Sequence, residues 1–280
     1  MLLTLFYVCV FGIGLSFGSF LNVLVYRLHK NKSILGRSHC PKCGHKIAWY
    51  DNIPLFSFIF LGGRCRHCKK NISWEYFFVE LITGLLFIFS VSRIAGNYKV
   101  LSFLEDLPNL YHYLGFIFNV LSSWITIFVL VFIFIYDLKY QEIKDRILIP
   151  GIALVFYLNV FLPVLGKIPS RLMVLSRMTS IIVAVLLPVL FFLAQYYLTK
   201  KKGIGLGDLR IGALMGVALV KLKLVALALF ISYIVGSVVC LILLIFKKKK
   251  LKSQIPLGPF LVIGTFVALF WGEKIINWYF

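Results

Sequence analysis

The sequence predicts an all-α polytopic membrane protein of about eight transmembrane helices, with a Cys-containing loop domain after the first. Three observations predict it. Hydrophobic residues make up 61% of the 280 and charged residues only 14%, too little polar surface for a water-soluble domain of this size. The apolar residues run continuously in blocks of bilayer-spanning length, without the polar–apolar alternation of a membrane β-barrel. Finally, four of the six cysteines fall in one long polar connection.

The blocks place spans at about 2–26, 76–95, 116–136, 147–165, 174–198, 209–220, 224–246 and 256–279. The sixth is short, and only Lys221 and Lys223 mark its boundary with the seventh. The opening stretch "MLLTLFYVCVFGIGLSFGSFLNVLVYR" lacks a basic leader region and exceeds the apolar core of a signal peptide, so it reads as a retained span. Three regions follow: the first helix (1–26), a cytoplasmic loop domain (27–75) and a membrane-embedded bundle (76–280).

A net charge of +20 raises the question of nucleic acid, but the basic residues sit between the spans. Segments 27–75, 137–146, 199–210 and 247–253 hold 22 of the 30 Lys and Arg, the bias that marks cytoplasmic connections. The expected partner of this charge is therefore an anionic lipid bilayer and not a nucleic acid. The N-terminus is expected outside, in a multi-pass protein of the cytoplasmic (inner) membrane.

Residues 27–75 are too few to bury a self-sufficient apolar core. "CPKC" (Cys40, Cys43) and "CRHC" (Cys65, Cys68) supply an alternative: two pairs whose spacing lets four thiolates surround one zinc ion. A cytoplasmic position disfavours disulfides, and Lys42, Arg64, Arg66 and Lys69 favour thiolates. A Cys₄ site leaves no open position for water, so the metal is expected to be structural. His39, His45 and His67 flank the motifs and read as surface residues; Cys9 and Cys240, inside spans, read as packing residues.

Acids in or beside spans are costly and usually functional. Asp137 ends the third span in "IFIYDLKYQEIKDR" and Asp208 opens the sixth in "GLGDLRIG", both on the cytoplasmic boundary. Two facing carboxylates sharing a proton and a water form an aspartic-protease dyad. One takes a proton from the water as it attacks a peptide carbonyl, and the other donates to the carbonyl oxygen. Gly205 and Gly207 are expected to support this site, allowing close approach of a substrate backbone and conformations closed to other residues. The simpler reading makes Asp208 a helix cap and pairs Asp137 with Lys139 or Lys144. Asp145 reads as support for the fourth span, and Glu80, inside the second, is expected to need a partner such as a basic loop side chain.

These motifs resemble those of the type IV prepilin peptidases. "GSFLNVLVYR" (18–27) resembles the family's first-helix signature and "CPKCGHKIAWYDNIPLFSFIFLGGRCRHCKKNISWEYFFVELITG" (40–84) its zinc-loop block. "YDLKYQEIKD" (136–145) and "GLGDLRIGALMG" (205–216) resemble its aspartate motifs, and "PLGPFLVIG" (256–264) its last helix. The resemblance implies that Asp137 and Asp208 are catalytic and that Cys40, Cys43, Cys65 and Cys68 bind zinc. It also implies prepilin or pseudopilin substrates, cleaved at the cytoplasmic membrane boundary. N-methylation of the new terminus by S-adenosylmethionine is implied as well. The sequence has no glycine-rich loop of the soluble methyltransferase type, and the methyl-donor site is assigned no further than 40–70. Asp51, Glu75 and Glu142 are expected to ease the approach of a basic leader to so basic a face. Arg210 stands where the family usually has lysine, and Lys144 where it often has proline. Rival readings are an intramembrane protease of the presenilin kind and a zinc-stapled scaffold without activity.

Overall fold

The structure, a computed structural model, describes residues 2–98, 110–161, 171–200, 205–246 and 255–279. Residues 162–165 of the expected fourth span and the lysine run at 247–252 lie outside these. Among the described residues the regular structure is helical, with two isolated bridges and no strand. Contacts divide the chain into two units, Met1–Ser92 and Arg93–Phe280.

The first unit holds α1 (Leu2–His29), a short 3₁₀ turn (Trp49–Asn52), α2 (Phe56–Phe60) and most of α3 (Trp74–Tyr98). Small residues let the two long helices touch backbone to backbone. A Cβ on Gly14 would fall 2.7 Å from the Gly84 Cα, and one on Gly18 would fall 2.7 Å from the Glu80 Cα. This close packing explains why most of α3 groups with the first helix.

The connection between them is nearly coreless: between residues 30 and 73, the buried apolar residues are Cys40 and Phe58. Phe58 packs on Trp74 and Phe77, with ring centroids 4.9 and 5.5 Å away. Polar contacts supply what apolar burial cannot. Arg27, 5% exposed, donates to the carbonyls of Ser33, Ile34, Gly36 and Arg37, so that the chain leaving α1 wraps its guanidinium. Glu80 accepts the Leu55 N–H at 2.8 Å, so its loop partner is a backbone amide and not the basic side chain expected. Leu55 has φ 59°, a conformation unfavourable for a residue with a side chain, and the buried carboxylate pins it.

The second unit contains α4 (Leu110–Tyr140), α5 (Asp145–Phe161), α6 (Arg171–Leu198), α7 (Leu206–Leu219), α8 (Leu222–Ile245) and α9 (Gly258–Tyr279). Its core gathers Val155 and Val160 of α5, Ile181 of α6, and Val217 and Val220 at the end of α7. In the two units together, six described helices are long and apolar enough to cross a membrane: α1, α3, α4, α6, α8 and α9. The expected fourth and sixth spans correspond to α5 and α7, of 17 and 14 residues. At about 1.5 Å per residue α7 rises roughly 21 Å, short of a hydrocarbon core of about 30 Å. Its far end is satisfied inside the protein, where the Asn159 amide donates to the Val217 carbonyl at 2.9 Å.

Candidate functional site

The four loop cysteines come together. Their Sγ atoms all lie within 4.8 Å of one another, and those of Cys40 and Cys68 are 4.0 Å apart. A zinc ion with Zn–S bonds of 2.3 Å needs sulfurs separated by about 3.8 Å at the corners of a tetrahedron, so the donor set can hold zinc.

Each pair sits on the same local turn. Cys40 N–H donates to His45 O and Gly44 N–H to Cys40 O; Cys65 N–H donates to Lys70 O and Lys69 N–H to Cys65 O. Bridges His39–Lys46 and Arg64–Asn71 close the two turns. The left-handed residues that the turns require are Gly44 and Lys69. The group contains no histidine; instead the His45 and His67 rings, one from each turn, lie against each other at a tilt of 34° with centroids 3.3 Å apart. Cys240 is partly exposed and Cys9 is exposed; for Cys9 this differs from the packing role expected.

Arg66 ties the second turn to the 3₁₀ turn through two hydrogen bonds to Asp51, at 2.6 and 2.8 Å. That guanidinium holds the Asp51 carboxyl below its ordinary range. Glu142 is likewise engaged, by Lys144 at 2.9 Å. Two of the three acids expected to attract a basic leader are therefore already neutralised by neighbours.

In the second unit, Asp137 lies one turn before the end of α4 and is 6% exposed. Lys144, one of the two lysines proposed as its partner, pairs with Glu142 instead. The neighbour that fits against Asp137 is Gly258, the first residue of α9. Its N–H supplies a hydrogen bond to the carboxylate, and a Cβ there would collide with Oδ2. The same hypothetical Cβ would meet Ile211 at 3.2 Å, so the start of α9 touches both Asp137 and the helix that carries Asp208. Asp208 lies close enough to act electrostatically on Asp137.

Asp208 stands in the first turn of α7 and accepts the Gly205 N–H at 3.1 Å. This is half of a capping box, the other half being impossible because Gly205 has no side chain. An acid here also opposes the positive end of the helix dipole. The expected conformational role of the glycines is not what the structure contains. Gly205 has φ −85° and Gly207 is helical, both open to other residues. The absent side chain matters at Gly207 for packing, because a Cβ would collide with Ile143. Asp145, the first residue of α5, forms an ion pair with Arg210 of α7, a partner outside the fourth span it was expected to support. Gly258, Ile143 and the Arg27 cradle had not been foreseen. The glycine in "PLGPF" was the one available hint.

The fold and the cysteine cluster define a polytopic helical membrane protein with a metal-competent loop. Residues 13–94 match the bacterial peptidase A24 N-terminal domain, and residues 124–241 match the type IV leader peptidase family. The chain is 30% identical over 302 residues to a prepilin leader peptidase/N-methyltransferase of Aeromonas hydrophila, covering 98% of this chain and 94% of that protein. It is 29% identical to that of Aeromonas salmonicida over 303 residues, again 98% and 94% of the two chains. A protein of the same name from Myxococcus xanthus is 50% identical over 97 residues, 34% of this chain and 29% of its own length. No solved structure matches. The chain belongs to the type IV leader peptidase family.

Proposed function

We propose that this protein removes the basic leader from a prepilin or pseudopilin at the cytoplasmic boundary of the inner membrane, with Asp137 and Asp208 as the catalytic pair. The observation that carries the reading is the burial of Asp137 within electrostatic reach of Asp208, in a chain whose relatives are named for leader cleavage. In this reading the two carboxylates close on one water and share one proton. The ionised one takes a proton from water, whose oxygen attacks the scissile carbonyl; the other gives its proton to the carbonyl oxygen. Collapse of the tetrahedral intermediate breaks the C–N bond, and the leaving amine takes up a proton.

The loop cysteines hold zinc in this reading, as a structural ion that fixes residues 40–68. The protein also N-methylates the new terminus, with S-adenosylmethionine supplying the methyl group. The first helix begins outside, and both the loop and the acid pair face the cytoplasm, in keeping with the distribution of basic residues.

The test is to incubate the purified full chain in detergent or vesicles with candidate prepilins, with and without S-adenosylmethionine, and to weigh the products. Loss of the leader without the methyl donor, and one added methyl with it, is the expected outcome. Intact prepilins throughout would contradict the peptidase. Cleavage deep within the apolar helix would favour a presenilin-like activity.

A further inference from the structure

The two acids are not brought together by direct packing of the helices that carry them. α4 and α7 meet chiefly through α5 and α9, each of which packs on both. Something must therefore set the separation of Asp137 and Asp208. From the α9 side it is Gly258. From the α5 side, the short connection after Asp137 makes two contacts with the first turn of α7, one on each side of Asp208.

That connection is tightly drawn. α4 stops when Gln141 adopts φ 53° and returns its N–H to the carbonyl of Asp137 itself at 2.9 Å. Two residues later Ile143 fills the space over Gly207, the residue before Asp208. Asp145, two further on, pairs with Arg210, two residues after Asp208. The segment 143–145 thus grips α7 at 207 and 210 while anchored to Asp137 at its other end. We propose that Ile143, Asp145 and Arg210 form a clasp that fixes the spacing of the two acids, making them positioning residues of the proposed peptidase.

The clasp rests on the reading of Asp137 and Asp208 as the catalytic pair. Its purpose follows from magnitudes. Asp145 and Arg210 are each about 40% exposed at their side chains, and exposed ion pairs contribute little to stability. A displacement of about 1 Å in a catalytic group, by contrast, lowers a rate about 100-fold. The effect of breaking the pair should therefore fall on turnover and not on folding or on substrate affinity.

The test compares the full-length wild type with Arg210→Ala, Asp145→Ala, Arg210→Lys and the exchange Asp145→Arg with Arg210→Asp. Each alanine variant should lower kcat about 10-fold to 100-fold with KM changed less than about 2-fold. Arg210→Lys and the exchange should recover most of the loss. Unchanged kcat in the alanine variants would overturn the clasp, as would a raised KM at constant kcat, which would make these residues substrate contacts.

A second readout needs no activity. Spin labels on cysteines at Leu138 and Leu206, beside the two acids, should show a longer or broader distance distribution in Arg210→Ala than in wild type, narrowed again in Arg210→Lys. An unchanged distribution would overturn the proposal even if the wild type cleaved nothing. Inactivity of the wild type would itself count only against the peptidase reading.

Discussion

The Cα of Gly258, at the first residue of α9, lies against the carboxylate of Asp137, and no side chain fits between them. This contact joins the last helix to an acid more than a hundred residues earlier. It leaves the acid's position dependent on the absence of a methyl group. Because Gly258 also faces Ile211 of α7, one small residue serves both halves of the acid site.

Gly258→Ala is therefore expected to push the Asp137 carboxylate aside. The atoms a methyl group would meet are the ends of two side chains, Asp137 and Ile211, so the fold should survive. Turnover of a prepilin should fall about 10-fold to 100-fold if the displacement approaches 1 Å. Steady-state kinetics beside a thermal melt checks this; an equally active, equally stable variant would show that the contact is immaterial.

The Cys cluster predicts about one zinc per chain, measurable by elemental analysis of the purified protein. Serine at any of Cys40, Cys43, Cys65 or Cys68 should lower that content. The connection between residues 30 and 73 has only Cys40 and Phe58 as buried apolar residues, so it should become sensitive to protease when the metal is removed. The same protease pattern with and without a strong chelator would argue against a structural ion.

Glu80→Ala removes the acceptor of the Leu55 amide and leaves a strained residue unpinned. The expected cost to the loop is about 1–3 kcal/mol, equivalent to amide exchange at Leu55 faster by about 5-fold to 150-fold. Hydrogen-exchange mass spectrometry of peptides covering 53–60 reports it. Unchanged exchange would mean that the rest of the loop holds Leu55 in place unaided.

Much of this arrangement was legible in the sequence, and the exceptions share a cause. Cys40, Cys43, Cys65 and Cys68 could be read from spacing, because metal ligands must recur at intervals a tight turn allows. Asp137 and Asp208 stood out by the rarity of acids beside apolar blocks, but a cap at Asp208 and a lysine partner for Asp137 were equally open readings, and it was the motif resemblance that joined them as a pair. Arg27 was counted among the charges that orient the first helix, and its hold on four carbonyls could not be read, since backbone acceptors carry no sequence signature. The same holds for Glu80, whose partner is the amide of Leu55. α2 and the 3₁₀ turn are too short to show a period. At Gly207 the sequence pointed to a tight place but not to Ile143, which comes from the connection between α4 and α5, and the contact of Gly258 with Asp137 was not foreseen. Helices overlap the expected fourth and sixth spans, yet hydropathy alone could not say that α7 ends inside the protein at Asn159.

The most direct measurement of the central claim is prepilin cleavage by Asp137→Asn, Asp208→Asn and the double variant, each folded like the wild type. If the two carboxylates act on one water as a unit, each single variant should lose at least about 1000-fold in kcat, and the double variant should lose little more. Independent, multiplying losses, or one single variant that still cleaves at the wild-type rate, would contradict the account.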